Sequence, residues 1–275
     1  MRIRLAHTTS YAYQQPSKSI LQILRLTPRS HEGQRVARWR VEIDADAKLT
    51  KGEDALGNVI HTAFVAGPVS ELSVNVTGEV ETWDTHGVVR GAVERFAPEV
   101  FLRDTPLTMP DAELEAFARD SSGSPDKDNL ERLHPLMMAL HRTVAFDLAP
   151  THSATTAAES FALKRGVCQD LSQIFITAAR SIGIPARYVS GHLSRSEGVI
   201  EQEAAHAWAE AYTPGLGWVG FDVANGLCPT AAYVRVAIGL DYLGAAPVRG
   251  SRSGGGEEKM DVKLYVSHVS QQTQA

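Results

Sequence analysis

The chain has 275 residues, 43% hydrophobic and 21% charged, with a formal net charge of −5. That content fits one or two globular domains with a full core; the mild negative balance, with no basic run, argues against nucleic acid as a partner. No apolar stretch approaches the length that spans a bilayer, and Met1–His7 lacks the apolar core of a signal peptide, so the expectation is a cytoplasmic location and no membrane contact.

From the N-terminus, residues 1–88 alternate apolar and polar positions between short breaks, as in Arg38–Ile43 and Leu72–Val80. This predicts an antiparallel β-rich domain, sandwich-like, with a hairpin turn at Asp54, Gly57 and Asn58. Residues 89–110, with Pro98, Pro106 and Pro110, read as a linker. Residues 111–245 then change to helical spacing, near 111–120 and 129–143. In the second run Leu130, Leu133, Leu136, Met137, Leu140 and Val144 form one stripe, more simply core than a cofactor box. Thr155–Ser160 fits a capped helix start. Residues 246–275 read as a flexible, glycine-rich tail whose stretch 260–269 alternates and can return as a strand to a sheet. The last, glutamine-rich residues are expected to be disordered.

Within 111–245, Cys168 opens an amphipathic run in which Leu171, Ile174, Phe175, Ala178, Ala179 and Ile182 recur at helical spacing, stopped by Gly183 and Pro185. A thiol on the first turn of a helix lies at the positive end of the macrodipole, which favours the thiolate that attacks carbonyls. Downstream, His206, Trp208, Glu210 and Tyr212 alternate with alanines, the pattern of a strand with one tightly packed face. Thr213–Gly217 is a turn by composition and Trp218–Val223 a second strand. If Tyr212 and Trp218 pair across the turn, His206 and Asp222 share a face and reach one another; a slip of one residue would separate them. Nucleophile, base and orienting carboxylate are what acyl transfer through a thiol needs.

Each residue also has a bland reading. A single cysteine is usually a small buried hydrophobe, a single strand histidine is usually structural, and Asp222 before Val223–Gly226 can simply end a strand. Cys168 and Cys228 can pair in principle, but a reducing cytosol and the need for a free nucleophile argue against a disulfide. No His or Cys pairs stand at zinc spacing and no calcium or phosphate loop appears, so no metal and no cofactor are expected. His134 and His141 read as surface or capping residues, and Arg165 and Arg187 as structural ion pairs rather than binders of a substrate carboxylate. Glu201 and Glu203 could line a cleft, though a solvated loop is the simpler reading.

The blocks Gly166–Asp170, Gly183–Gly191, His206–Trp208 and Gly217–Asp222 resemble the bacterial transglutaminase-like superfamily. His7–Tyr13, Leu24–Arg29 and Asp54–Asn58 are similar to the N-terminal β region of members described as candidate cysteine proteases, and Val234–Tyr242 is similar to them as well. The resemblance implies an α+β architecture: a β-rich N-terminal domain beside a papain-like core, with Cys168 as nucleophile, His206 as base and Asp222 as orienter. Gln169, Tyr188 and Trp208 are the candidates for a further oxyanion donor or site wall. The chain departs from its relatives at Tyr233, where histidine is common, and at Val223–Ala224, where proline and threonine are; both departures leave the three catalytic positions untouched and bear on the site wall. The expected activity is on amide bonds of a peptide or protein substrate through a thioester, resolved by water rather than by an amine. A transglutaminase-type transfer is the alternative. A biosynthetic thioester route and a non-catalytic papain-like binding module are further readings, the last opposed by the intact triad.

Overall fold

The computed structural model describes residues 1–148, 151–195, 205–268 and the backbone of 201–202. Glu203, the side chain of Glu201 and residues 269–275, all subjects of the expectations above, lie outside the described residues. In chain order the elements are β1 (Arg2–Thr27), β2 (Gln34–Ile43), β3 (Ala47–Glu53), β4 (Val59–Thr82), β5 (Val88–Val89), a 3-10 turn (Pro98–Leu102), α1 (Ala112–Ser121), α2 (Asn129–Thr143), β6 (Ala145–Phe146), α3 (Ala157–Leu163) and β7 (Arg165–Gly166). There follow α4 (Cys168–Ser181), β8 (Ala186–Leu193), β9 (Glu201–Gln202), β10 (His206–Thr213), β11 (Gly217–Phe221), β12 (Tyr233–Gly239), α5 (Tyr242–Ala245), β13 (Val248–Gly254) and β14 (Glu258–His268). The class is α+β, with two large antiparallel sheets, a short parallel β6–β7 pair and segregated helices.

The N-terminal strands form one continuous sheet in which β1 and β4 run its full length. In the first half of β1 the buried positions are odd: Ile3, Leu5, His7, Thr9, Tyr11 and Tyr13. In the second half they are even: Ile20, Gln22, Leu24 and Leu26. The register against β4 shifts between Ala12 and Ser19. A bulge there restores the same face to the core after the side-chain parity changes. The C-terminal segment contributes two strands to this sheet. Val248–Gly254 pairs with the second half of β1, and Glu258–His268 with the first. The tail read as flexible over 246–275 is thus mostly ordered strand through His268, with the turn between β13 and β14 at 255–257.

The second sheet runs β12-β8-β10-β11-β5, antiparallel throughout. Its β10–β11 hairpin has the Tyr212–Trp218 pair that the alternation predicts. α4 lies on this sheet with α1, α2 and α3 against its other sides, so every residue from Asp170 to Arg180 is buried. The segment read as a linker is packed: Val88–Val89 pairs with β11, and Phe101 is buried edge-on against Trp218 at 5.0 Å. Two side-chain amides join the sheets. Gln34 donates to the Arg235 carbonyl (2.9 Å) and accepts from its N–H (2.8 Å), while Asn58 does the same at Ile238 (2.8 Å each). Each amide stands in for a missing strand along the edge of β12, satisfying backbone groups that burial would otherwise orphan.

Candidate active site

The mouth of α4 is built by Asp170. Its Oδ2 accepts the Val167 N–H (2.8 Å) and the Thr151 hydroxyl (2.7 Å), tying the helix start to the preceding loop. Asp170 is buried; burial raises its pKa and the two donors oppose the rise. Gly166 is required here, because a Cβ would fall 2.6 Å from the Asp170 Cβ and 2.7 Å from the Ser160 hydroxyl. Cys168, half-buried and a free thiol, is the first residue of the helix. The amides of Cys168 and Gln169 lie in the first turn, where no intrahelical carbonyl is available to them, and are the candidate oxyanion donors.

His206 begins β10, and its Nε2 donates to Asp222 Oδ2 at 2.6 Å. By register Asp222 falls opposite Trp208, diagonal to His206, because Ala209 pairs with Phe221. The Cys168 thiol lies against the same imidazole. Burial alone would lower the His206 pKa; the Asp222 carboxylate and the Cys168 thiol reverse this and lift it to about 10. Asp222 is fully buried. Burial pushes its pKa up, but the hydrogen bonds from His206, Asn225 and Tyr233 hold it below the usual 3.8. Asn225 donates its side chain to Oδ2 (2.7 Å) and its backbone N–H to Oδ1 (3.2 Å), and the Tyr233 hydroxyl donates to Oδ2 (2.7 Å).

The three residues singled out in the sequence are thus brought together. Trp208 is buried beside His206, ring centroids 6.2 Å apart, as a wall. Close packing of its indole requires Gly191, where a Cβ would lie 2.5 Å from the ring. Tyr188 is fully buried, which raises its pKa, and it is not an exposed donor. Gln169 is half-buried on the first turn of α4. Arg187 is not near a substrate path: buried, it bonds Glu210 (2.7 Å) and Glu94 (2.7 and 2.9 Å) and lies over the Trp218 ring. Arg165 faces Asp147 at 3.6 Å. His141 bonds the Val223 carbonyl at 2.8 Å, fixing the turn after Asp222, and His134 packs on Phe221. Among the described residues no three His, Cys, Asp or Glu side chains converge as a metal would need.

Sequence reasoning missed Asn225, and it placed Tyr233 at the site wall without its bond to Asp222. Asn225 follows Asp222 by three residues in a turn, a local signal for a side chain folding back on the carboxylate. The bond from Tyr233 to Asp222 carried no such signal, because its strand and Asp222 meet only in the tertiary fold.

Residues 3–81 match the bacterial transglutaminase-like N-terminal region, and residues 115–223 the transglutaminase-like superfamily. The chain is 30% identical over 288 residues to the uncharacterized protein ML0607 of Mycobacterium leprae, covering 98% of this chain and 99% of that one. It is 26% identical over 146 residues to the protein-glutamine gamma-glutamyltransferase of Pseudomonas aeruginosa, which is 44% of this chain and 21% of that protein. Its fold is similar to that of a candidate cysteine protease from Cytophaga hutchinsonii, with a TM-score of 0.79, 19% identity and coverage of 100% and 92% of the two chains. Sequence matches across both sheets and the shared fold show that the chain belongs to the transglutaminase-like superfamily, with a bacterial transglutaminase-like N-terminal region.

Proposed function

We propose that this protein is a cysteine-nucleophile enzyme that hydrolyses amide bonds of peptide or peptide-like substrates through a thioester on Cys168. The observation that carries this reading is one imidazole, His206, held between the Cys168 thiol and the buried Asp222 carboxylate. His206 takes the Cys168 thiol proton and, with its pKa lifted to about 10, holds it at neutral pH. The Cys168 sulfur bonds the substrate carbonyl carbon, and the electron pair moves to the oxygen facing the amides of Cys168 and Gln169. Collapse expels the amine, which leaves with the His206 proton. Water then adds to the thioester while neutral His206 takes its proton, and the acid departs as sulfur and imidazolium are restored. Asp222 orients the ring and stays ionised throughout.

Water is favoured as acceptor because transfer needs a site that receives an amine and excludes water. The named activity of the Pseudomonas aeruginosa relative supports transfer as the second reading. The proposed partner is a peptide or protein, and the proposed location the cytoplasm. The test is mass analysis of products from peptide and glutaminyl-peptide substrates, with and without an added primary amine. Free acid in both arms supports hydrolysis, and a new amide in the amine arm supports transfer. Products formed equally by Cys168→Ala contradict the nucleophile assignment.

A further inference from the structure

We propose that Tyr233 is a positioning residue for this site: its hydroxyl fixes the Asp222 carboxylate against His206, and its ring closes that pair off from water. The proposal rests on the reading of Cys168, His206 and Asp222 given above. Tyr233 is the first residue of β12, at the edge of the core sheet. Its side chain is buried, and its hydroxyl donates to Asp222 Oδ2 at 2.7 Å. That oxygen also accepts from His206 Nε2 (2.6 Å) and Asn225 Nδ2 (2.7 Å), so three donors converge on one atom. Oδ1 accepts only a longer bond from the Asn225 backbone, at 3.2 Å, among the described contacts.

This convergence fixes the carboxylate's rotation. His206 and Asn225 both approach from the β10–β11 side, and Asn225 sits on the turn that carries Asp222 itself. Tyr233 approaches from another strand, so it alone ties the carboxylate to the opposite side of the sheet. Its ring lies edge-on to Trp208 (5.4 Å) and tilted to His206 (5.8 Å), covering one side of the imidazole. The phenol remains a donor throughout the working range, because burial and the neighbouring carboxylate both raise its pKa. The titratable groups around Asp222 are His206 on β10, Tyr233 on β12, Cys168 across the imidazole and Cys228 facing the phenol; His192 on β8 lies behind His206.

Tyr233→Phe keeps the ring and removes only the hydroxyl. The probe is alkylation of Cys168 by iodoacetamide near neutral pH in the full chain, read by peptide mass mapping so that Cys228 is scored separately. Burial raises the Cys228 pKa to about 11 and keeps it slow to react. Wild type, Tyr233→Phe, Asp222→Asn and the double variant form a cycle. The expected result is a roughly tenfold slower alkylation in Tyr233→Phe, the size of a hydrogen bond to a charged group, and no further loss when it is added to Asp222→Asn. An equal loss in both backgrounds, or none in either, overturns the proposal. If alkylation in wild type is no faster than in His206→Ala, the reading of the site itself fails, which is a distinct result.

A second readout needs no chemistry at Cys168. Asp222 has a depressed pKa, so its contribution to stability is present above its ordinary 3.8 and lost as pH falls through its folded value. The unfolding constants of wild type and Tyr233→Phe therefore differ most near neutral pH and converge in acid. His7 and His192, whose pKa values burial lowers, are common to both proteins and cancel in that difference. A gap that does not change with pH indicates simple packing and overturns the proposal.

Discussion

Glu210→Gln removes the one carboxylate that both Arg187 and Arg235 bond in the core sheet. Glu210 is fully buried on β10, four residues after His206. It accepts from Arg187 Nε (2.7 Å) and from Arg235 Nε (2.6 Å) and Nη2 (3.1 Å), joining β8, β10 and β12 through one carboxylate. Burial pushes its pKa up, but Arg235 and Arg187 more than offset that and bring it from 4.5 down to about 2. That difference corresponds to about 3 kcal/mol, in line with the ~3–5 kcal/mol lost when one partner of a buried ion pair is removed. Glutamine preserves the shape and leaves the buried Arg187 guanidinium with Glu94 as its bonded carboxylate and the half-buried Arg235 without Glu210's charge. A depressed carboxylate contributes fully above its unfolded pKa and loses that contribution as pH falls through the folded one. Urea unfolding should therefore show the variant weaker by about 3 kcal/mol near neutral pH, with the gap closing between pH 4.5 and about 2. A loss below about 1 kcal/mol, the range of an exposed pair, or a gap that widens in acid refutes the reasoning.

Asn58→Ala removes both hydrogen bonds to Ile238 at the edge of β12 and should cost about 2–4 kcal/mol by urea unfolding, because buried backbone groups are left unpaired. Asp170→Ala frees the Val167 N–H and Thr151; it should cost about 1–2 kcal/mol, as loss of a helix cap does, and slow alkylation of Cys168 by iodoacetamide. His206 has a raised pKa, so its contribution to stability is complete below 6.5 and lost as pH rises through about 10. The stability gap between wild type and His206→Ala should close across that interval, and turnover should fall on the alkaline side near its upper end.

Much of the site was legible because its signals are local. The alternation from Ala205 to Tyr212 and the glycine-rich turn fixed the hairpin register, and register alone put His206 and Asp222 on one face. The cysteine helix was bounded by Gly166 and by Gly183 and Pro185. What escaped depends on distant partners. The parity change in β1 is visible only once β4 supplies a register. Phe101 sits in an aperiodic, proline-bearing stretch that reads as a linker, yet it packs on Trp218. Tyr233 lies 11 residues beyond Asp222 and meets it only when β12 joins the sheet. Asn58 reads as a turn residue until the edge of β12 lies beside it.

The central claim is that Cys168 carries the acyl group. Rapidly quenched turnover of a cleaved peptide, followed by intact-protein mass measurement and peptide mapping, tests it directly. The predicted result is an added acyl mass on Cys168 that hydroxylamine removes, that is absent in Cys168→Ala, and that forms more slowly in His206→Ala. Turnover with no adduct on Cys168, preserved in Cys168→Ala, would contradict the account.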